Sequence, residues 1–197
     1  QKARAEFERL LTMRVDPLSR AVALHGLGKM TIHEGAFEKG RQMMERSVAA
    51  YPLALAYRNL AVYWNSEGDL VKTGQFVDEA LRLDPHDPFN IVFAAVFKAT
   101  TGHVAEALRI AQENEAMLPA SYNLAAINAI AGNREKALSL LRRHFDSYER
   151  YDAVRGEEMM EARVDRVFDS LRADKEFLAL TAKADGRMKM PAGHTSH

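Results

Sequence analysis

Apolar residues return along this chain at the three-and-four spacing of amphipathic helices, and glycine interrupts the runs at regular intervals. Gly35, Gly68, Gly102 and Gly132 each stand between two such runs, at separations of 33, 34 and 30 residues. A first segment, residues 3–13, carries Phe7, Leu10 and Leu11 on one face and closes at Asp16-Pro17. The next run carries Leu24, Leu27 and Gly28, turns at Gly35, and resumes through Met44 and Val48 to Pro52. The same arrangement recurs, predicting helix pairs over residues 18–52, 54–85, 88–119 and 118–149. Beyond Tyr148 the pattern changes. Glu157–Val167 predicts a helix with Met160, Val164 and Val167 on one side, and Ala173–Ala184 another with Phe177, Leu178 and Leu180. From Asp185 the residues turn small and polar, so 185–197 reads as a disordered tail. No stretch alternates with period two between turn signals, and no strand is expected.

Composition narrows the function more than the fold. The 197 residues, 47% hydrophobic, suffice for one ordinary domain or an elongated array of four to five helix pairs. Lys plus Arg and Asp plus Glu both number 27, so no global field draws nucleic acid or an anionic membrane. The absence of cysteine excludes a disulfide framework and a thiolate zinc site. No run of 18 apolar residues predicts a membrane span. The chain opens at Gln1 with neither an initiator Met nor a signal peptide. It reads as a processed protein or an excised fragment, soluble, in the cytoplasm or periplasm.

Aligning the units on their glycines brings small residues into phase. The second unit reads Tyr57, Leu60, Ala61, Trp64, Gly68, Thr73, Val77, Ala80 and Pro85, and the first reads Leu24, Leu27, Gly28, Thr31, Gly35, Gly40, Met44, Ser47 and Pro52. The third reads Ile91, Ala94, Ala95, Lys98, Gly102, Ala107, Ala111 and Pro119, and the fourth Ser121, Leu124, Ala125, Asn128, Gly132, Ala137 and Leu141. Gly28, Ala61, Ala95 and Ala125 are placed where paired helices would touch, and a large side chain there would force them apart at about 1–3 kcal/mol. Over residues 18–149 this pattern resembles the tetratricopeptide repeat family. Phe168, Leu171, Arg172, Asp174 and Phe177 resemble a tail found after bacterial arrays of this kind, so residues 150–184 are expected to cap the last repeat. Residues 1–17 would be a capping or partial-repeat helix. The expected fold is all-α: an α-α superhelix, or solenoid, of about four such pairs plus capping helices.

The resemblance implies that the first helix of each unit lines a concave groove. Its lining would be His25, Lys29, Ile32 and His33 in the first unit, and Arg58, Asn59, Val62 and Asn65 in the second. Phe89, Val92, Phe93 and Val96 would follow in the third, with Tyr122, Asn123 and Ala126 in the fourth. Such a groove, polar and cationic at one end and apolar at the other, suits a peptide with an acidic group and a bulky apolar anchor. Chaperone-binding members of the family clamp two carboxylates with Lys and Asn. Here Lys29 and Val62 stand where Asn is required, so that mode is rejected.

Candidate chemistry adds little. His25 and His33 lie two helical turns apart, about 12 Å along the axis, too far to share a metal without other ligands. His86 sits in Asp84-Pro85-His86-Asp87-Pro88, which turn chemistry explains, and His194 and His197 fall in the tail. Gly26-Leu27-Gly28-Lys29 lacks the first glycine of a phosphate loop, has Met30 where Ser or Thr is needed, and lies within a helical run. Glu157-Glu158 reads as helix surface, and in Met43-Met44 and Met159-Met160 one member of each pair is expected to pack inside. No catalytic residue, metal ligand or cofactor is predicted. The sequence reads as a non-enzymatic interaction module for a protein or peptide. The other readings are a docking or regulatory domain of a larger enzyme and a scaffold self-assembling through the edge at residues 3–13, which keeps a homo-oligomer among the partners.

Overall fold

A computed structural model describes residues 2–149 and 152–182. The expected tail, with His194 and His197, lies outside these residues. Eleven α-helices follow one another, and no strand occurs among the described residues: α1 (Lys2–Thr12), α2 (Pro17–His33), α3 (Phe37–Ala50), α4 (Ala54–Glu67), α5 (Leu70–Leu83), α6 (Pro88–Thr100), α7 (Val104–Glu113), α8 (Ser121–Ile130), α9 (Arg134–Arg143), α10 (Asp152–Val164) and α11 (Lys175–Leu180). The chain divides into two compact units, residues 1–90 and 91–197, with the boundary inside α6.

All four predicted turns share one construction. Gly35, Gly68, Gly102 and Gly132 have φ between +79° and +92°, a left-handed conformation costly for a residue with a Cβ. At each, two amides bond back into the helix just finished. Gly35 N donates to Ile32 O at 2.8 Å and Ala36 N to Thr31 O at 3.0 Å. Gly68 and Asp69 repeat this onto Asn65 and Trp64, Gly102 and His103 onto Ala99 and Lys98, and Gly132 and Asn133 onto Ala129 and Asn128. This Schellman closure satisfies carbonyls the helix end leaves open and turns the chain into the next helix.

In the first unit, α2 pairs with α3 and α4 with α5. Asp16 starts α2 by accepting from Ser19 N at 2.9 Å, and Asp69 starts α5 by accepting from Lys72 N at 3.0 Å, each an N-cap bond. Within the first pair the backbones almost touch. A Cβ on Gly28 would lie 2.8 Å from the Gly40 carbonyl oxygen, and one on Gly40 would lie 2.7 Å from that of Gly28. Buried Ser47 donates to Ala21 O at 2.8 Å across the same interface. In the second pair, Ala61 and Thr73 hold the corresponding positions and are fully buried. The Phe7 ring of α1 fills the space beside Gly26.

In the second unit, α8 and α9 pair, and Ala125 and Ala137 are both fully buried at the positions of Gly28 and Gly40. Its core gathers Leu124, Ile127, Leu138, Leu141, Phe145, Phe168 and Phe177. One member of each Met pair is buried, Met44 and Met159. The C-terminal helices differ from expectation. The predicted Glu157–Val167 helix ends at Val164, and a 3-10 segment runs from Arg166 to Leu171. Asp165 makes the break, because its carboxylate accepts from Val167 N at 3.2 Å. Asp174 likewise delays α11 by capping Glu176 and Phe177 N at 2.9 and 3.1 Å. Ser170 Oγ fastens the 3-10 segment to Ala129 O of α8 at 2.9 Å. Arg134 fastens α11 to α9 through Asp174, at 2.5 and 3.1 Å.

Candidate functional site

The turn glycines supply a common register for the first helix of every pair. Ten residues before each glycine stand His25, Arg58, Val92 and Tyr122. Three of the four hydrogen-bond to a later part of their own unit. The His25 ring, 8% exposed, lies with Nε2 2.7 Å from Asn59 Nδ2. Arg58 donates through one nitrogen to Asp87 Oδ2 at 2.6 Å and Asn90 Oδ1 at 3.0 Å, with its guanidinium carbon 5.3 Å from the centre of the Phe89 ring. Tyr122 donates its hydroxyl to Asp165 Oδ2 at 3.2 Å. Its ring meets Phe168 edge-on at 5.3 Å and His144 at 5.6 Å. Val92 is fully buried.

Electrostatics follow from these surroundings. Burial, then the positive charges of Lys29 and Arg58, lowers the His25 pKa to about 4. Burial raises the Asp165 carboxyl above its ordinary range, and burial followed by the Asp165 charge pushes the Tyr122 hydroxyl well up. His144 Nε2 lies 2.8 Å from Glu158 Oε2, while its buried Nδ1 has no hydrogen-bond partner among the described residues.

Six residues before the glycines the two units part company, whereas thirteen before, Pro119 of the second unit is exposed as Val22 and Leu55 of the first are. In the first unit Val22, Leu55 and Val62 are 41%, 41% and 46% exposed, and Lys29 is exposed as well. In the second unit Val96 is 3% exposed and Ala126 is buried. The helix pairs repeat one construction: a left-handed glycine turn with buried small residues seven before it and five after it.

No family model matches the chain, and no curated protein matches it. Among solved structures, the crystal structure of YrrB, described as a TPR protein with an unusual peptide-binding site, aligns over 64% of this chain and 68% of that one, at 21% identity and a TM-score of 0.44. So distant a likeness transfers nothing to individual residues.

The predicted lining residues differ in exposure and in contacts. Lys29, His33 and Val62 are exposed, and Asn59, Asn65 and Asn123 are half-buried. Asn65 Oδ1 is buried without a hydrogen-bond partner among the described residues. His25, Arg58 and Phe89 are engaged within the first unit by the contacts given above. Phe93 and Val96 require correction as groove residues, because both are buried, Phe93 at 7% exposure. Tyr122 requires the same correction: the 3-10 segment that follows α10 packs on α8 and takes its hydroxyl. Sequence reasoning missed Val22 and Leu55, although Phe89 of the predicted lining stands at the same offset from its glycine as they do. It also missed Asp87 and Asp165, whose positions just ahead of a helical turn are the available signal. His25 is buried while His33 is exposed, so the two do not face one site. Among the described residues no group of three His, Cys, Asp or Glu is placed to hold a metal, and no helix is long and apolar enough to cross a membrane.

Proposed function

We infer that this protein is a non-catalytic interaction module that holds a protein or peptide segment against the α2–α4 face of its first unit. One observation carries the reading: six residues before their glycines Lys29 and Val62 are exposed while Val96 and Ala126 are buried, and Val22 and Leu55 are exposed on the same two helices as Lys29 and Val62. An apolar row of this kind, rimmed by a cation, suits a segment with two or three apolar side chains and one carboxylate. The Lys29 ammonium has no partner among the described residues and is free to meet that carboxylate. His25 and Asn59 supply a polar floor between the two helices.

The test starts from peptides selected by display against the intact chain. Lys29→Glu combined with Val62→Glu is expected to abolish their capture while circular dichroism stays unchanged, since both side chains are exposed. Undiminished capture by the double variant sinks the assignment. Arg58→Glu and Phe93→Ala are unsuitable for this purpose. Arg58 holds Asp87 and Asn90, and Phe93 is buried, so either change disturbs the fold itself.

A further inference from the structure

A hydrogen bond joins the side chains of His25 on α2 and Asn59 on α4, with the amide nitrogen toward the ring. The Asn59 amide nitrogen only donates, so the His25 Nε2 it meets at 2.7 Å accepts and carries no proton. The imidazole is therefore neutral, with its proton on Nδ1. The charges acting on the ring are Lys29 on its own helix and Arg58 on α4, both positive. Among the described residues, no charge from α1 or α3 acts on it. Asp87 on the α6 side is engaged by Arg58 at 2.6 Å. Burial and the two cations thus oppose a charge on the ring at neutral pH.

We propose that His25 is a proton switch on this face: neutral, it is the acceptor that ties α2 to α4 through Asn59, and protonated, it loses that acceptor and sets a third positive charge beside Lys29 and Arg58. Protonation leaves Nε2–H facing the Asn59 N–H, two donors at hydrogen-bond distance. The contact then opens, or the amide turns over to offer its oxygen. Opening loosens the register between the two helices, and both responses make the face more cationic. The consequence for binding, a firmer hold on an acidic segment in acid, rests on the function inferred above. The switch itself needs no ligand, so the two stand or fall separately.

The experiment follows the His25 imidazole nitrogens by NMR in the intact chain from neutral pH into acid, with amide hydrogen exchange along α2 and α4. The expected result is an Nδ1-protonated tautomer at neutral pH and a titration midpoint at a proton concentration at least tenfold higher than that of an ordinary histidine. Amide exchange in both helices quickens through the same midpoint. A second variant, Asn59→Asp, reverses the sign: its carboxylate accepts from protonated Nε2–H, so the midpoint moves above the ordinary value and the exchange step moves with it. That step falls near neutral pH and is readable even where acid unfolds the wild-type chain. An Nε2-protonated tautomer at neutral pH, or a midpoint that Asn59→Asp leaves in place, overturns the proposal. Peptide capture by the wild-type chain at neutral pH tests the binding face separately, since it does not depend on which of these results is obtained.

Discussion

The Tyr122 hydroxyl donates to one carboxylate oxygen of Asp165 at 3.2 Å, while the other oxygen of Asp165 accepts from Val167 N and starts a turn of 3-10 helix. Arg58 and Asp87 stand in the same relation within the first unit: Asp87 Oδ2 takes the Arg58 guanidinium and Oδ1 takes Phe89 N. Tyr122 and Arg58 both lie ten residues before their glycines. An aspartate that caps the following turn thus also receives the side chain at that position. In the second unit, residues 165–171 occupy on α8 the place that the start of another first helix holds on α4. The 3-10 segment 166–171 thereby packs on α8.

Asp165 substitutions separate the two jobs of that carboxylate. Its pKa is raised by burial, so the folded state holds the proton more tightly than the unfolded state does. Its contribution is therefore favourable at low pH and is lost as pH rises through the folded value. Asp165→Asn keeps an N-cap acceptor and removes the ionisation. It is expected to leave stability at neutral pH equal or higher and to flatten its dependence on acid. Asp165→Ala removes the cap and leaves the Tyr122 hydroxyl unpaired, for a loss of about 1–2 kcal/mol. Urea unfolding at several pH values, read by the near-ultraviolet signal of the tyrosines, checks both.

His25 titrates with the opposite sense. Its folded pKa of about 4 lies below the ordinary histidine value of 6.5. Between those values the unfolded chain binds more protons, so stability is fully present above the unfolded pKa and is lost as pH falls through the folded one. The loss amounts to at most about 3 kcal/mol. His25→Gln is expected to remove this slope. Urea titrations followed by fluorescence of Trp64, the single tryptophan, measure it where it arises, because Trp64 lies on α4.

Much of the fold was legible because it rests on steric demands made at single positions and repeated in phase. A left-handed turn selects glycine, and a helix–helix contact selects Gly or Ala, so Gly35 and Gly28 announce themselves without their surroundings. The candidate site was less legible. Position along a first helix suggests that Phe93, Val96 and Tyr122 line a groove, but register does not determine burial. Tyr122 is covered by residues more than forty positions later, and nothing in its own helix foretells that. Asp165 interrupts an apolar periodicity of Met160, Val164 and Val167 that otherwise reads as one continuous helix. A single capping side chain outweighs the pattern there, because it satisfies an amide that the helix would otherwise have to.

Gly35 and Gly28, seven residues apart in one hairpin, are expected to fail differently. A Cβ added at Gly35 would stand in open space, with φ at +84°, so Gly35→Ala carries backbone strain alone, about 1 kcal/mol, and Gly35→Asn carries less. At Gly28 a Cβ meets the carbonyl of Gly40 at 2.8 Å, a backbone atom with no rotamer to escape into. Gly28→Ala is expected to lose about 1–3 kcal/mol, less any gain in helix propensity. Gly40→Ala strikes the reciprocal carbonyl. The double variant therefore costs less than the sum of the singles, because the helices have already moved apart. A strictly additive cycle by urea denaturation refutes the shared contact.

Arg58 is expected to act as a structural residue with a geometry lysine does not reproduce. One guanidinium nitrogen serves both Asp87 and Asn90 while the plane rests near the Phe89 ring. Arg58→Lys keeps the charge but forfeits the planar stacking and the fixed fork, at a cost of about 1 kcal/mol. Arg58→Glu sets a carboxylate against the half-buried Asp87 and is expected to cost about 2–4 kcal/mol. Asp87→Asn in the Arg58→Glu background removes the repulsion and restores part of the loss, which a change of packing alone does not explain. The cycle is measured through Trp64 fluorescence, since Trp64 shares α4 with Arg58. Recovery in the double variant supports a direct charge contact, and its absence assigns the Arg58→Glu loss to packing.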